Sequence, residues 1–364
     1  MILKKKIRIV IGSLNVGGTE KQLIQILNDL CKKNWNIEII TITGVGKLAK
    51  LLNKNIKIRS INSKSLLKIL LPIKYVCSLY KIFKENPKTL THFFLPQAYI
   101  LGMVAAILAK TSCKLIMSRR SLNFYQNNYF FCKRIEKFLH KKVDKILVNS
   151  SAIKKQLIKD ENVENEKIKL IYNGIKINKI GLKTTNKKIF NISIIANLIP
   201  YKCHNVLFKA LGLIKNQFST KWKLICIGRD DGYKNDLIKL SKKLKIYKNI
   251  SWLETLKIND VLEKSDIGVL CSNEEGFPNA ILEYCAAKLA VISTNVGGCN
   301  EIIEHKKNGL LIPKNNPKDL AKAIMFFYKN KKIRNKYGMN GFKIIKKFNI
   351  KKTIQEHEKI YMNM

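Results

Sequence analysis

The sequence has no Cys-x-x-Cys pair, and its nine cysteines are scattered singly. That excludes a disulfide framework and a clustered zinc site, and it predicts a reducing, cytoplasmic setting. No uncharged apolar run reaches the ~18 residues that a membrane-spanning helix needs. Tyr99 to Ala109 comes nearest and reads as a buried helix. Lys4 to Lys6 precede an apolar run that Arg8 interrupts, so no signal peptide is expected. Acids are scarce: 25 Asp and Glu face 69 Lys and Arg, for a net charge of +44. Such an excess suits nucleic acid, an anionic membrane or anionic substrates. No zinc-finger, RNP or basic-zipper pattern accompanies it, which argues against nucleic acid. The cations are mostly Lys and are spread along the whole chain, as compositional bias would also spread them.

At 364 residues, 46% of them hydrophobic, the chain is long enough for two globular domains. Strand patterns alternate with helix patterns, which predicts parallel sheets. Strands are expected at Ile7–Ile11, Ile37–Ile42, Thr89–Leu95, Lys114–Ser118, Lys145–Asn149 and Ile168–Tyr172. In the second half they are expected at Phe190–Ala196, Trp222–Ile227, Asp266–Cys271 and Ala290–Thr294. Ser150 opens a helix, and further helices begin at Pro317, Lys331 and Lys351. Polar, lysine-rich residues 176 to 188 read as a linker. The expected divisions are 1–176, a linker over 177–188, a second domain over 189–347 and a terminal helix over 348–364.

The most informative stretch runs from Ser272 to Cys285. It follows an apolar strand pattern and leads into a helix over Ala280–Ala287. Gly276 can take backbone angles closed to other residues, and Pro278 suits a first helical turn. Glu275 therefore sits in a strand-to-helix loop, and Glu283 lies on the helix about two turns further on at ~3.6 residues per turn. Open α/β sheets bind ligands at such crossings, where helix N-termini attract anions. By itself a pair of glutamates at this spacing is also what a capped helix with a solvated carboxylate would show. Near the N-terminus, Gly17 and Gly18 lie between a strand and a helix. They permit close approach of backbone to a ligand, or simply a tight turn capped by Thr19. No Gly-Lys-Ser/Thr ending makes that loop a P-loop.

Glu275-Gly276-Phe277-Pro278-Asn279, with Glu283 after seven intervening residues, resembles the donor-site signature of retaining glycosyltransferases of the GT-B fold, especially glycosyltransferase family 4. Gly17-Gly18-x-Glu20 is similar to the loop that opens such chains and faces donor phosphate and acceptor. Asn173-Gly174-Ile175, Gly297-Gly298-x-x-Glu301 and Asn308-Gly309-Leu310-Leu311 resemble further family segments. The implied fold is α/β: two facing Rossmann-like doubly wound domains with a cleft between them. The resemblance implies that Glu283 holds the ribose hydroxyls and Glu275 contacts the donor sugar. The backbone of Gly276 to Asn279 would lie beside sugar and phosphate, with Gly228 in a loop against the nucleotide. Relatives carry an Arg, four residues, a Lys and often a Gly after the first strand of the second domain. Here Lys202 matches, while Asn197 stands at the Arg position and Cys203 at the Gly position. Arg229 is a candidate replacement cation. Ser118-Arg119-Arg120 stands where many relatives have a histidine; Arg119 and Arg120 are candidates for an anionic acceptor.

The function so implied is transfer of a sugar from a nucleotide-diphosphate donor, UDP-linked or GDP-linked, to a glycan or polyprenyl-linked acceptor in surface polysaccharide biosynthesis. No cofactor is expected, and no Asp-x-Asp pair is present to hold a metal. A sugar-nucleotide epimerase of the same fold is the alternative, and a basic nucleic-acid-binding protein is the alternative from another class. The expected location is the cytosolic face of the inner membrane. Residues 66 to 84, with Lys68, Lys74, Lys81 and Lys84 among apolar neighbours and no acid, form the expected contact with an anionic surface. The competing reading is an ordinary packed helix disrupted at Pro72.

Overall fold

The computed structural model describes residues 5–61, 70–128, 130–177, 188–254 and 258–364. It divides into two units, Met1–Gly174 with Ile350–Met364, and Ile175–Asn349. Residues 178–187 of the expected linker lie outside the described residues, as do residues 66–69.

The first unit is built on a parallel sheet of seven strands. In chain order these are β1 (Lys6–Ile11), β2 (Asn36–Thr41), β3 (Lys57–Ser60), β4 (Leu90–Phe94), β5 (Leu115–Arg119), β6 (Lys145–Val148) and β7 (Ile168–Leu170). Their spatial order is β3-β2-β1-β4-β5-β6-β7. Connections after β1 and β4 therefore leave in opposite directions, the topological switch point of a doubly wound sheet. The helices are α1 (Gly18–Lys32), α2 (Leu71–Glu85), α3 (Pro96–Leu108), α4 (Phe130–Lys142), α5 (Ser151–Glu161) and α12 (Ile350–Met362).

Strand β1 shows why the apolar runs were readable. A parallel strand is covered on both faces, so Ile7, Ile9 and Ile11 enter one core while Val10 enters the other. Arg8, the break in that run, is fully buried; its Nε lies 3.2 Å from Glu38 of β2, its register partner. Helix α2 begins at Leu71 and carries Pro72 in its first turn, where a missing N–H costs nothing. Tyr75, Leu79, Ile82 and Phe83 bury its inner face. The helix is thus packed, and Pro72 starts it rather than disrupting it. In α5 the Ser150 side chain accepts a hydrogen bond from the Ile153 N–H at 3.2 Å, the expected cap. Helix α12 packs on α1 and the sheet: Tyr361 Oη lies 2.7 Å from His92 Nδ1, and Lys33 Nζ lies 2.7 Å from Glu358.

The second unit is a parallel sheet of six strands in the order β10-β9-β8-β11-β12-β13. These are β8 (Ile189–Ile195), β9 (Lys221–Ile227), β10 (Ile250–Leu253), β11 (Ile267–Leu270), β12 (Ala290–Thr294) and β13 (Gly309–Ile312). The helices are α6 (His204–Ile214), α7 (Lys234–Lys243), α8 (Ile258–Leu262), α9 (Asn279–Ala286), α10 (Pro317–Lys329) and α11 (Lys331–Ile344). The switch point lies between β8 and β11, which pair in the middle of the sheet. Three strands, β3, β10 and β13, have no counterpart among the expected strands. All three are edge strands; no residue of β3 or β10 is buried, so those two show no buried apolar run, and β13 is only four residues long and begins at a glycine. No helix of the described residues is long and apolar enough to cross a membrane.

Candidate active site at the carboxyl end of the second sheet

The chain leaves β8 through Ala196–Ile199 and a short turn at Pro200–Lys202 before entering α6. It leaves β11 through Cys271–Pro278 before entering α9. Since β8 and β11 are neighbours, these two loops meet at the switch point. The Asn273 N–H donates to the Tyr201 carbonyl at 2.8 Å, tying one loop to the other. Lys202 Nζ then lies 2.7 Å from Glu275 Oε1. The Ser272 hydroxyl donates to the same oxygen at 2.6 Å, and Thr294, at the end of β12, donates to the Ser272 carbonyl at 2.7 Å. Glu275 is 9% exposed. Burial alone would lower the Lys202 ammonium, but the adjacent Glu275 carboxylate outweighs it and holds the group above its ordinary value. The Lys202 ammonium also stands 4.9 Å from the Tyr201 ring centre.

The second glycine turn is part of this arrangement. Gly297 has φ +49, and a Cβ there would lie 1.7 Å from the Glu275 carbonyl oxygen. The Gly298 N–H donates to the Gly276 carbonyl at 2.9 Å. Only glycine permits both the left-handed angle and this contact. Gly228, just past β9, is held in the same way: a Cβ would lie 2.1 Å from the Ala196 carbonyl oxygen. That brings Asn197, Gly228 and Arg229 together. Asn197 Oδ1 accepts from the Arg229 N–H at 3.3 Å, and the Arg229 guanidinium binds Asp231 at 2.6 and 2.9 Å. The candidate replacement cation therefore stands beside the residue at the Arg position, with its charge shared with Asp231.

Cys203 adopts φ +54, a left-handed angle that costs a non-glycine residue ~1–2 kcal/mol. This is the physical reason a glycine suits the position after Lys202. His204, the first residue of α6, is fully buried, and neither ring nitrogen has a hydrogen-bond partner among the described residues. Burial brings its pKa down to about 4, with Lys202 acting in the same direction. Glu283 is half-buried on α9. Pro278 is the residue before the helix rather than within its first turn, and Asn279 opens it. Phe277 is buried, its ring centre 5.2 Å from that of Phe348, so it anchors the loop by packing. Among the described residues, no group of three or more His, Cys, Asp or Glu is placed to hold a metal ion.

The candidates of the first unit are arranged differently. Gly17, not Thr19, is the residue before α1; Gly18 and Thr19 are already helical. Arg119 is the last residue of β5 and is 1% exposed. Its guanidinium binds Glu136 at 3.0 Å and Glu161 at 2.6 Å. It is committed to the interior and is not displayed to an acceptor, which corrects the sequence expectation. Arg120 is half-buried, donating to Asn173 at 2.7 Å with His357 at 3.5 Å. Burial brings its pKa down to about 10, so it remains a cation.

Sequence reasoning missed three residues that shape the site. Ser272 and Thr294 fix Glu275 through hydroxyl bonds. Tyr284 accepts from the Ile195 N–H at 2.7 Å and donates to the Val269 carbonyl at 3.1 Å, joining α9 to both central strands. Its ring fills the space over Gly268, where a Cβ would lie 2.3 Å from it. A glycine in a buried strand was the one available signal for that contact.

Residues 175–344 match the family described as glycosyl transferases group 1, and residues 16–179 match glycosyltransferase family 4. An uncharacterised glycosyltransferase of Methanocaldococcus jannaschii is 32% identical over 79% of this chain and 80% of its own. The UDP-Gal:alpha-D-GlcNAc-diphosphoundecaprenol alpha-1,3-galactosyltransferase of Escherichia coli is 27% identical over 80% of each chain. The crystal structure of Anabaena HepE in complex with UDP-glucose superposes with a TM-score of 0.85 at 20% identity, covering 99% of this chain and 100% of that one. The matched segments meet near residue 175, where the structure passes from its first unit to its second, and both units carry the doubly wound sheets of the GT-B class. On this evidence the chain belongs to the group 1 glycosyltransferases of family 4.

Proposed function

We propose that the protein transfers a sugar from a UDP-sugar to a polyprenyl-linked or glycan acceptor in surface polysaccharide biosynthesis, with retention of anomeric configuration. The Lys202–Glu275 pair at the switch point between β8 and β11 carries the reading. A diphosphate arriving there meets an ammonium and the N-terminus of α6, and both favour an anion. Lys202 stabilises the charge that grows on the departing diphosphate. Glu275 is turned from its Lys202 contact toward the donor sugar, and Glu283 holds the ribose hydroxyls. The bond from the anomeric carbon to the β-phosphate oxygen breaks. The acceptor hydroxyl oxygen takes its place on the same face, and its proton leaves with the diphosphate. The reaction uses no metal and no cofactor in this reading.

Two relatives support the substrates. The Escherichia coli enzyme takes a UDP-sugar and a diphosphoundecaprenol-linked acceptor by its name, and HepE binds UDP-glucose. With an acceptor of that kind, the enzyme would work at the cytosolic face of the inner membrane. The deciding experiment is a hydrolysis screen over UDP-, GDP- and ADP-sugars, followed by transfer from an α-linked donor to an acceptor, with the linkage of the product read by NMR. Turnover of UDP-sugars with an α-linked product is expected. Preference for another base, or an inverted product, overturns the corresponding part of the proposal.

A further inference from the structure

We infer that the outer face of α3 and α4 is the surface by which this enzyme docks on a bilayer containing anionic phospholipid. The inference rests on the reading above, in which the acceptor is held in a membrane, and it assigns that contact to particular residues.

Residues three and four apart on a helix share a face. On α4, Phe131, Ile135 and Phe138 form one such stripe, and it points outward: Phe131 is 69% exposed and Phe138 55%. Leu108 of α3 is 59% exposed beside it. Ile107, Leu108, Ile135 and Phe138 line an apolar groove of about 430 Å³ together with Arg134, and Phe131 extends the stripe beyond it. A contiguous exposed apolar patch of this kind marks an interaction surface, whereas single exposed residues do not.

The charge around the groove names the partner. Helix α4 carries Lys133, Arg134, Lys137, Lys141 and Lys142, all at least partly exposed. Its one acid, Glu136, is fully buried and turned the other way. There it binds Arg119 at 3.0 Å and accepts from the Tyr125 hydroxyl at 2.7 Å, and Gln126 also donates to it. That internal network sets the rotation of α4, so among the described side chains its outward side shows Phe131, Ile135 and Phe138 with cations around them. Rings at the centre and long cationic stems at the flanks match an interface of acyl chains below anionic headgroups. On α2, in the segment expected to serve this purpose, Tyr75, Leu79, Ile82 and Phe83 face inward, and the exposed Ile73 and Tyr80 lie seven residues apart without the aromatic stripe of α4.

The test is co-sedimentation of the full chain with vesicles of one-third phosphatidylglycerol and two-thirds phosphatidylcholine, against pure phosphatidylcholine. The wild type is expected on the anionic vesicles alone, with partition falling at least about tenfold from low to high salt. The triple variant Phe131→Ser, Ile135→Ser, Phe138→Ser, and separately Lys133→Gln, Arg134→Gln, Lys137→Gln, should each lose at least about tenfold. Lys74→Gln, Lys81→Gln, Lys84→Gln on α2 should partition as the wild type does. Hydrolysis of soluble UDP-sugar, measured without vesicles, should be unchanged in all three. No vesicle binding by the wild type overturns the inference, as does undiminished binding by the Ser variant. A wild-type dimer that the Ser variant converts to a monomer, with vesicle binding unchanged, assigns the face to a second copy and also overturns it. Vesicle binding as expected with no donor hydrolysis supports the docking face while removing the catalytic reading.

Discussion

Lys202 and Glu275 are 73 residues apart in the chain and meet at 2.7 Å because β8 and β11, which deliver them, are neighbours at the switch point of the sheet. The pair is prepared before any donor arrives. If the ammonium serves the departing diphosphate, Lys202→Ala should lower kcat by about 10²–10³ while changing donor KM by less. Glu275→Gln should also act mainly on kcat. EDTA should leave the wild-type rate intact. Steady-state donor hydrolysis checks all three, and full activity of Lys202→Ala would assign the diphosphate to another cation.

Glu283 is half-buried on a helix whose neighbours Ile281, Leu282 and Tyr284 are buried. Its removal should spare the fold. A carboxylate accepting two ribose hydroxyls contributes up to ~1.5–3 kcal/mol per charge-assisted bond. Glu283→Ala should raise donor KM at least about tenfold, with the melting temperature little changed. Unaltered UDP affinity in calorimetry would take Glu283 out of the site.

Arg119 should behave as a structural residue. Arg119→Ala leaves Glu136 and Glu161 buried around a missing cation, a loss of about 3–5 kcal/mol. Chemical denaturation should show that loss, and the acceptor KM of any folded remainder should stay close to wild type. A well-folded variant with a raised acceptor KM would return Arg119 to the acceptor site.

Acidification should weaken both units before the ordinary carboxylate range is reached. Burial brings the pKa of His204 down to about 4 and that of His357 to about 3, and it holds His92 well below its usual value. In the unfolded chain these groups titrate near ~6.5. Below that pH the unfolded state binds more protons than the folded one. Stability is therefore complete above ~6.5 and is lost as pH falls toward the folded values, by up to ~1.4 kcal/mol per pH unit for each histidine. Urea midpoints at about pH 7 and about pH 5 should differ accordingly, and His204→Gln should flatten part of the slope. A midpoint that rises on acidification would contradict this account.

Much of the fold was legible in the sequence for one reason: central parallel strands are buried on both faces and read as apolar runs, as Ala290–Thr294 does without a residue's error. The exposed edge strand Lys57–Ser60 carries no such mark. The stretch around Glu275 and Glu283 stood out because the string Glu275-Gly276-Phe277-Pro278-Asn279 after a strand pattern resembles a family signature; the spacing of the two glutamates alone would not have singled it out. What holds that stretch was not. Ser272 and Thr294 look like ordinary strand-end residues, and the closeness of Gly297 to the Glu275 carbonyl is a property of the fold. Arg119 misled for the same reason. Its partners Glu136 and Glu161 lie 17 and 42 residues away, and nothing local shows that they fold around it.

The first unit is discontinuous: Ile350–Met364 returns to it after the whole second unit. Protein chains emerge from the ribosome at ~5–20 residues per second, and domains fold as units. Ile175–Asn349 is contiguous and is complete once Asn349 has emerged. Residues 5–174, although made first, must wait for Tyr361 to reach His92 and for Glu358 to reach Lys33. The half of the enzyme synthesised first is therefore the half finished last. A premature stop or a rigid fusion near Ile350 injures the older half of the chain and leaves the six-stranded sheet with all of its own strands.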